Sequence, residues 1–260
     1  MPFVALTIAG SDPSGGAGIQ ADLKTFHQFG VYGEAVITLL TVQNTVRTDR
    51  VEVMPPELVF EQIRAVLEDI PPVAVKTGSL GSAEVVHAVA CALQGFPAPL
   101  IIDPVLLTKH GVPLASESAW EAIRRDLLPH AALVTPNVPE AEAFTGIPIR
   151  NLDDMRQAAL RLREMGAQDV LIKGGHLPGP PIDVLLAGDA WHEFRAPRLE
   201  TKHTHGTGCA YSAAIAACLA RGMRLRDAVE RAKQFINEAI RTAPGLGQGS
   251  GPVNHHAETR

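Results

Sequence analysis

Cysteine, positive charge and long apolar runs are all scarce in this chain of 260 residues, and each scarcity removes a class of protein. The three cysteines (Cys91, Cys209 and Cys218) are odd in number and lack metal-site spacing, so no disulfide framework is expected. They point to a reducing, cytoplasmic setting. Lys and Arg number 23 against 28 Asp and Glu. The net charge of −5 argues against a nucleic-acid or acidic-membrane partner, because phosphate surfaces call for a basic one. No apolar run approaches a membrane span. Met1-Pro2-Phe3 enters a strand pattern without the charged start or cleavage site of an export signal.

What is present is alternation. Short apolar runs at residues 3–9, 35–40, 73–77, 100–103, 133–135 and 170–173 read as strands. Amphipathic patterns at 18–29, 57–69, 83–93, 117–127, 139–144 and 153–165 read as the helices between them, with two more at 209–220 and 227–243. Continuous strand cores such as Leu100-Ile101-Ile102 suit a parallel sheet covered on both faces. Asp183 to Phe194 reads as a hairpin around Gly188-Asp189. No linker or repeat divides the chain, so 1–260 is expected to be one domain.

Two glycine-rich turns each run into a helix: Gly10-Ser11-Asp12-Pro13-Ser14-Gly15-Gly16-Ala17-Gly18, and Gly206-Thr207-Gly208 before Cys209. Free N–H groups and the positive helix end make such a turn an anion site. The same field would favour a thiolate at Cys209; the plainer reading is a turn followed by a small buried cysteine. Polar residues also gather where six predicted strands end, the edge at which open parallel sheets bind ligands. Asn137 and Glu140 bracket a helix start, as a plain capping pair or as ligands of a hard cation. Lys173 ends a strand beside Gly174-Gly175, able to reach a phosphate or simply to snorkel at the sheet rim. Asp103 holds a metal-bound water or begins the Asp-Pro turn. Gln43 offers the donor and acceptor needed to read a ring edge, or is a satisfied loop amide. Asp22, in the first helix, is either solvated or an acceptor for a substrate hydroxyl. His203, His205, His255 and His256 lack tetrahedral-site spacing and read as loop residues.

Together these segments resemble the bacterial hydroxymethylpyrimidine/phosphomethylpyrimidine kinases of thiamin biosynthesis, within the ribokinase-like superfamily. The resemblance runs from Ala5 to Phe26, through Gln43-Asn44-Thr45, Asp103-Pro104-Val105, Thr135 to Ala141 and Lys173 to His176. It closes with Thr204 to Cys209 and Gly249-Ser250-Gly251-Pro252-Val253. It implies a three-layer α/β/α ribokinase-like fold with a mainly parallel central sheet and no large lid domain, and a homodimer. It implies ATP and Mg²⁺ as cofactors, and a pyrimidine alcohol phosphorylated twice. By residue match, Gly10, Asp22, Val42, Gln43 and Val105 would bind the pyrimidine. Asn137, Lys173 and Thr204 would serve the nucleotide, and Asp103 and Glu140 the metal. Gly206, Thr207 and Gly208 would form the anion hole, with Cys209 where sugar kinases carry an aspartate base. One departure is Ser79, where the family usually places a methionine over the ring. It keeps a pyridoxal or pyridoxine kinase as the alternative. A cysteine hydrolase pairing Cys209 with His205 is a third, weaker reading.

Overall fold

The short aliphatic runs become the strands of one nine-stranded sheet in the computed structural model, which describes residues 3–258. Met1 and Pro2, part of the segment read for an export signal, lie outside the described residues, as do the last two positions of the expected 1–260 domain. The strands are β1 (Val4–Ser11), β2 (Tyr32–Gln43), β3 (Thr48–Val53), β4 (Ala74–Thr77), β5 (Leu100–Ile102), β6 (Leu133–Val134), β7 (Asp169–Ile172), β8 (Ile182–Ala187) and β9 (Ala190–Arg195). Their order across the sheet is β3-β2-β1-β4-β5-β6-β7-β8-β9. From β2 to β7 all neighbours are parallel, while β3, β8 and β9 pair antiparallel. The helices are α1 (Gly18–Gln28), α2 (Pro56–Asp69), α3 (Ala83–Leu93), α4 (Glu117–Ala122), α5 (Val138–Thr145), α6 (Leu152–Glu164), α7 (Thr207–Ala220) and α8 (Leu225–Arg241).

Strand side chains alternate between two cores because successive residues face opposite sides of the sheet. Leu6, Ile8, Leu100, Ile102, Val170 and Ile172 pack with helices α2 to α6 on one face. Ala5, Ile101 and Leu171 pack with α1, α7 and α8 on the other. This is the expected three-layer α/β/α arrangement. Alanines at 210, 213, 214, 216 and 217 are fully buried, so α7 can sit between the sheet, α1 and α8. None of the described helices is long and apolar enough to cross a membrane.

Three expectations need correction. Strand β3 was not expected, because Thr48-Asp-Arg-Val-Glu-Val carries three charges. An edge strand with a solvated face accepts them, and Arg50 and Glu52 pair at 2.6 Å. The helix expected over 117–127 is α-helical only to Ala122, then a π turn over Ile123–Leu127 and a 3₁₀ turn over Leu128–His130. Pro129 has no N–H to continue the α-helical ladder. Helix α7 opens at Thr207, not at Cys209, with Gly206 as its left-handed N-cap at φ 77°.

A single carboxylate ties the two ends of the fold together. Asp12, 1% exposed, accepts from the Ser14 N–H at 2.8 Å and the Ser14 hydroxyl at 2.9 Å. It also accepts from the Gly16 N–H at 3.1 Å, the Ala17 N–H at 2.8 Å and His205 Nε2 at 2.8 Å. The next residue, Gly206, lies so close to the first glycine loop that a Cβ there would stand 1.7 Å from the Gly16 carbonyl oxygen. Burial would raise the Asp12 carboxyl, but the hydrogen bonds from His205 and Ser14 prevail and hold it at about 2, against an ordinary 3.8. A depressed carboxylate stabilises the fold fully above its unfolded pKa and loses that contribution as pH falls through its folded one. We expect Asp12→Asn to cost roughly 2 kcal/mol at pH 7. In urea unfolding, the gap between wild type and variant should hold from pH 7 to about 5 and close toward pH 2. A gap independent of pH would mean that the carboxylate charge does not hold the clasp.

Candidate active site

The carboxyl ends of β1, β2, β4, β5, β6 and β7 open into one cavity of about 820 Å³. Each contributes a residue from the polar groups read in the sequence: Gly10, Gln43, Gly78, Asp103, Asn137 and Lys173. Gly206, Thr207, Gly208 and Cys209 close one side, and Leu106, Leu107 and Leu114 supply an apolar cover from the loop after β5. A cavity of this size suits two small molecules side by side better than one small metabolite.

At one end lie Gly10, Gln43, Ser79 and Val105. Gly10 is there because its chain runs against Leu39; a Cβ would meet that side chain at 2.5 Å. Ser79 is buried and donates to the Leu114 carbonyl at 3.2 Å, tying the apolar cover to the strand-end loop. Two expected ring-binding residues do not line the cavity. Val42 is 54% exposed on the outer face of β2. Alternation sends Leu39, Thr41 and Gln43 inward, so Thr41 takes the place expected of Val42. Asp22 is fully buried beneath the cavity. It accepts from Lys76 Nζ at 2.7 Å and from the Thr7 hydroxyl at 2.6 Å, because a carboxylate there needs a cation more than a substrate.

The other end is charged. Asp103 Oδ1 accepts from Lys173 Nζ at 2.8 Å, and Oδ2 from the Ser212 hydroxyl at 3.1 Å. Burial opposes the charge on Asp103, but Lys173 and Lys76 hold its pKa below the ordinary value. Asn137 and Glu140 form a reciprocal capping box on α5. The Asn137 N–H donates to Glu140 Oε2 at 2.8 Å, and the Glu140 N–H donates to Asn137 Oδ1 at 2.9 Å. Burial pushes Glu140 up to about 7; Lys173 opposes the shift and Asp103 adds to it. Gly208 brings the start of α7 against this group: a Cβ there would stand 3.4 Å from Lys173 Nζ. The Thr204 hydroxyl accepts from Lys109 Nζ at 2.8 Å.

Cys209 differs from expectation in its charge. Burial pushes its thiol up to about 11; Lys76 pulls it down, while Asp22 and Asp103 push it up again. The helix end does not produce a thiolate, since desolvation outweighs a field of order half a charge. The hydrolase pairing finds no support, because His205 Nε2 is spent on Asp12.

Several site residues escaped the sequence reading. His205 reads as a loop histidine, yet it is 5% exposed and holds the clasp. Lys76, read only as one of the polar residues at a strand end, is fully buried within the apolar run of β4. Asp183 and Lys233, paired at 2.7 Å, also line the cavity. Asp183 accepts from the Gly174 N–H at 3.0 Å, so it fixes the turn after Lys173.

The phosphomethylpyrimidine kinase family model matches residues 12–254. The thiamine biosynthesis bifunctional protein ThiED of Geobacter sulfurreducens is 50% identical over 252 residues, covering 96% of this chain. This chain spans only 51% of that protein's length. The hydroxymethylpyrimidine/phosphomethylpyrimidine kinase of Streptomyces coelicolor is 46% identical over 98% of this chain and 94% of its own. Among solved structures, the Staphylococcus aureus pyridoxal kinase in complex with AMP-PCP and pyridoxal superposes with a TM-score of 0.91 at 34% identity. That likeness covers 99% of this chain and 94% of the other. With that match running from Asp12, inside the first glycine turn, past Gly206-Thr207-Gly208 to residue 254, the chain belongs to the phosphomethylpyrimidine kinase family.

Proposed function

We infer that this protein transfers the γ-phosphoryl group of ATP to the hydroxymethyl oxygen of 4-amino-5-hydroxymethyl-2-methylpyrimidine, and then to the resulting monophosphate, in thiamin biosynthesis. The observation that carries the reading is the single cavity in which Gln43 and Gly10 stand at one end and Lys173, Asp103 and the start of α7 at the other. The acceptor ring lies on Gln43 and Val105. The nucleotide lies toward Asn137, Lys173 and Thr204. The N–H groups in the first turn of α7 have no intrahelical acceptor and face the transferring phosphoryl. Lys173 adds a fixed positive charge there, held by Asp103.

Asp103 and Glu140 suit Mg²⁺, which takes one or two carboxylates and fills its remaining positions with water and phosphate. When bound, the ion neutralises phosphate charge. The burial that raises Glu140 to about 7 marks a carboxylate short of a cation. The three unpaired cysteines suit a cytoplasmic protein. The exposed Leu40 and Val42 on β2, 43% and 54% accessible, support the homodimer reading.

Cys209 meets both acceptors as a neutral thiol and repels neither. The monophosphate is already ionised and needs positioning only. The alcohol must lose a proton, and only the thiolate form of Cys209 can take it; Lys76 is the cation that draws the thiol toward that form.

The central test is ATP turnover with the pyrimidine alcohol, its monophosphate and pyridoxal as separate acceptors. Both pyrimidines should be phosphorylated, and turnover of pyridoxal alone would sink the reading. In the same assay Glu140→Gln should raise the Mg²⁺ concentration needed for half-activity, because a neutral ligand replaces a charged one. Cys209→Ala should slow the alcohol step by about 10²–10⁴-fold and the phosphate step far less. Parallel losses in the two steps would reduce Cys209 to a pocket wall. Light scattering should report a dimer for the wild type and a monomer for Val42→Glu; a monomeric wild type refutes the dimer.

A further inference from the structure

Gln43 can read a ring edge only if its amide is held one way round, since a half-turn exchanges its carbonyl and its NH₂. Its neighbours supply the hold. Thr48 Oγ1 lies 3.2 Å from Gln43 Oε1 and 3.2 Å from His110 Nδ1. The other ring nitrogen, His110 Nε2, lies 3.2 Å from the Thr45 carbonyl oxygen. That carbonyl also accepts from the Ser250 N–H at 2.8 Å.

A carbonyl oxygen cannot donate, so the proton of the Thr45 contact sits on His110 Nε2. With the ring neutral, Nδ1 carries only a lone pair and takes the single hydroxyl proton of Thr48. Thr48 then turns only lone pairs toward Gln43. Two oxygens would face each other at 3.2 Å, and the half-turn of the amide removes that conflict. It sets an N–H on Thr48 and leaves the carbonyl toward the ring.

We propose that His110, acting through Thr48, locks the Gln43 amide with its carbonyl toward the acceptor, so that the site selects a ring edge bearing an exocyclic amino donor over one bearing an oxo group. The proposal rests on the pyrimidine reading above and adds the residues that set its specificity. His110 and Thr48 are positioning residues. His110 belongs to the loop after β5 and Thr48 to β3. The lock therefore forms only where that loop packs on the turn between β2 and β3.

The test compares 4-amino-5-hydroxymethyl-2-methylpyrimidine with its 4-oxo counterpart as phosphoryl acceptors at pH 8. The quantity read is the ratio of their kcat/KM values, with the KM for ATP measured alongside. Thr48→Val leaves the His110 contact to Thr45 in place but breaks the relay, while Thr48→Ser preserves it. We expect the amino-over-oxo ratio to fall about three- to tenfold in Thr48→Val and His110→Phe, roughly the worth of one hydrogen bond. Thr48→Ser should keep the wild-type ratio, and the KM for ATP should not move in any variant. An unchanged ratio in Thr48→Val overturns the lock, as does a Thr48→Ser ratio that falls with it. A wild type that phosphorylates neither ring overturns the pyrimidine reading itself and the lock with it. A wild type active on the amino ring, with variants of unchanged ratio, overturns the lock alone.

Discussion

The contact between Asp12 and His205 is the one on which the site depends. It joins residues 193 apart in the chain, and it is buried, with both side chains almost wholly withdrawn from water. Exposed ion pairs such as Arg47–Asp49 hold little, because solvent screens them and long side chains lose entropy. Asp12 instead gathers backbone and side-chain donors from its own loop before it meets the imidazole. The first glycine turn therefore has a fixed shape onto which the last one is pressed, and the close approach of Gly206 to Gly16 leaves no room for a different seating.

Beneath that surface the charges are arranged in layers. The deepest is Lys76 with Asp22, both inaccessible to water. Burial opposes the Lys76 charge, but Asp22 and its acidic neighbours raise its pKa above the ordinary value and keep it protonated. Above it stand Asp103 and Lys173, and between the two pairs lies the thiol of Cys209. A group so placed feels cations and carboxylates in near balance, and desolvation then decides its state. The result is a small, polarisable, uncharged side chain lining the cavity. A permanent carboxylate there would repel a phosphorylated acceptor.

Periodicity was enough to mark β1, β4 to β7 and their covering helices, because continuous apolar strands between amphipathic runs leave few alternatives. It was not enough for β3, whose edge position excuses its charges. Glycine turns and strand-end polar residues pointed correctly to one cavity. What stayed hidden depended on facing direction and distant partners. Val42 and Thr41 are neighbours in sequence, and only the strand's phase tells which one looks inward. Asp22 and Lys76 each look functional or merely solvated in isolation, and their pairing appears once β1, β4 and α1 are stacked. His205 lacked any local signal, since its partner is almost the whole chain away.

The order in which the chain is made gives the clasp a further consequence. Asp12 is made before any of the helices, and His205 after all nine strands. At about 5–20 residues per second, the 193 residues between them take on the order of ten to forty seconds to synthesise. Throughout that interval the first glycine loop has no His205 imidazole to hold it, and the side of the cavity that α7 supplies does not exist. A chain cut short before His205 therefore lacks both the clasp and one side of the cavity, however much of the sheet it has formed.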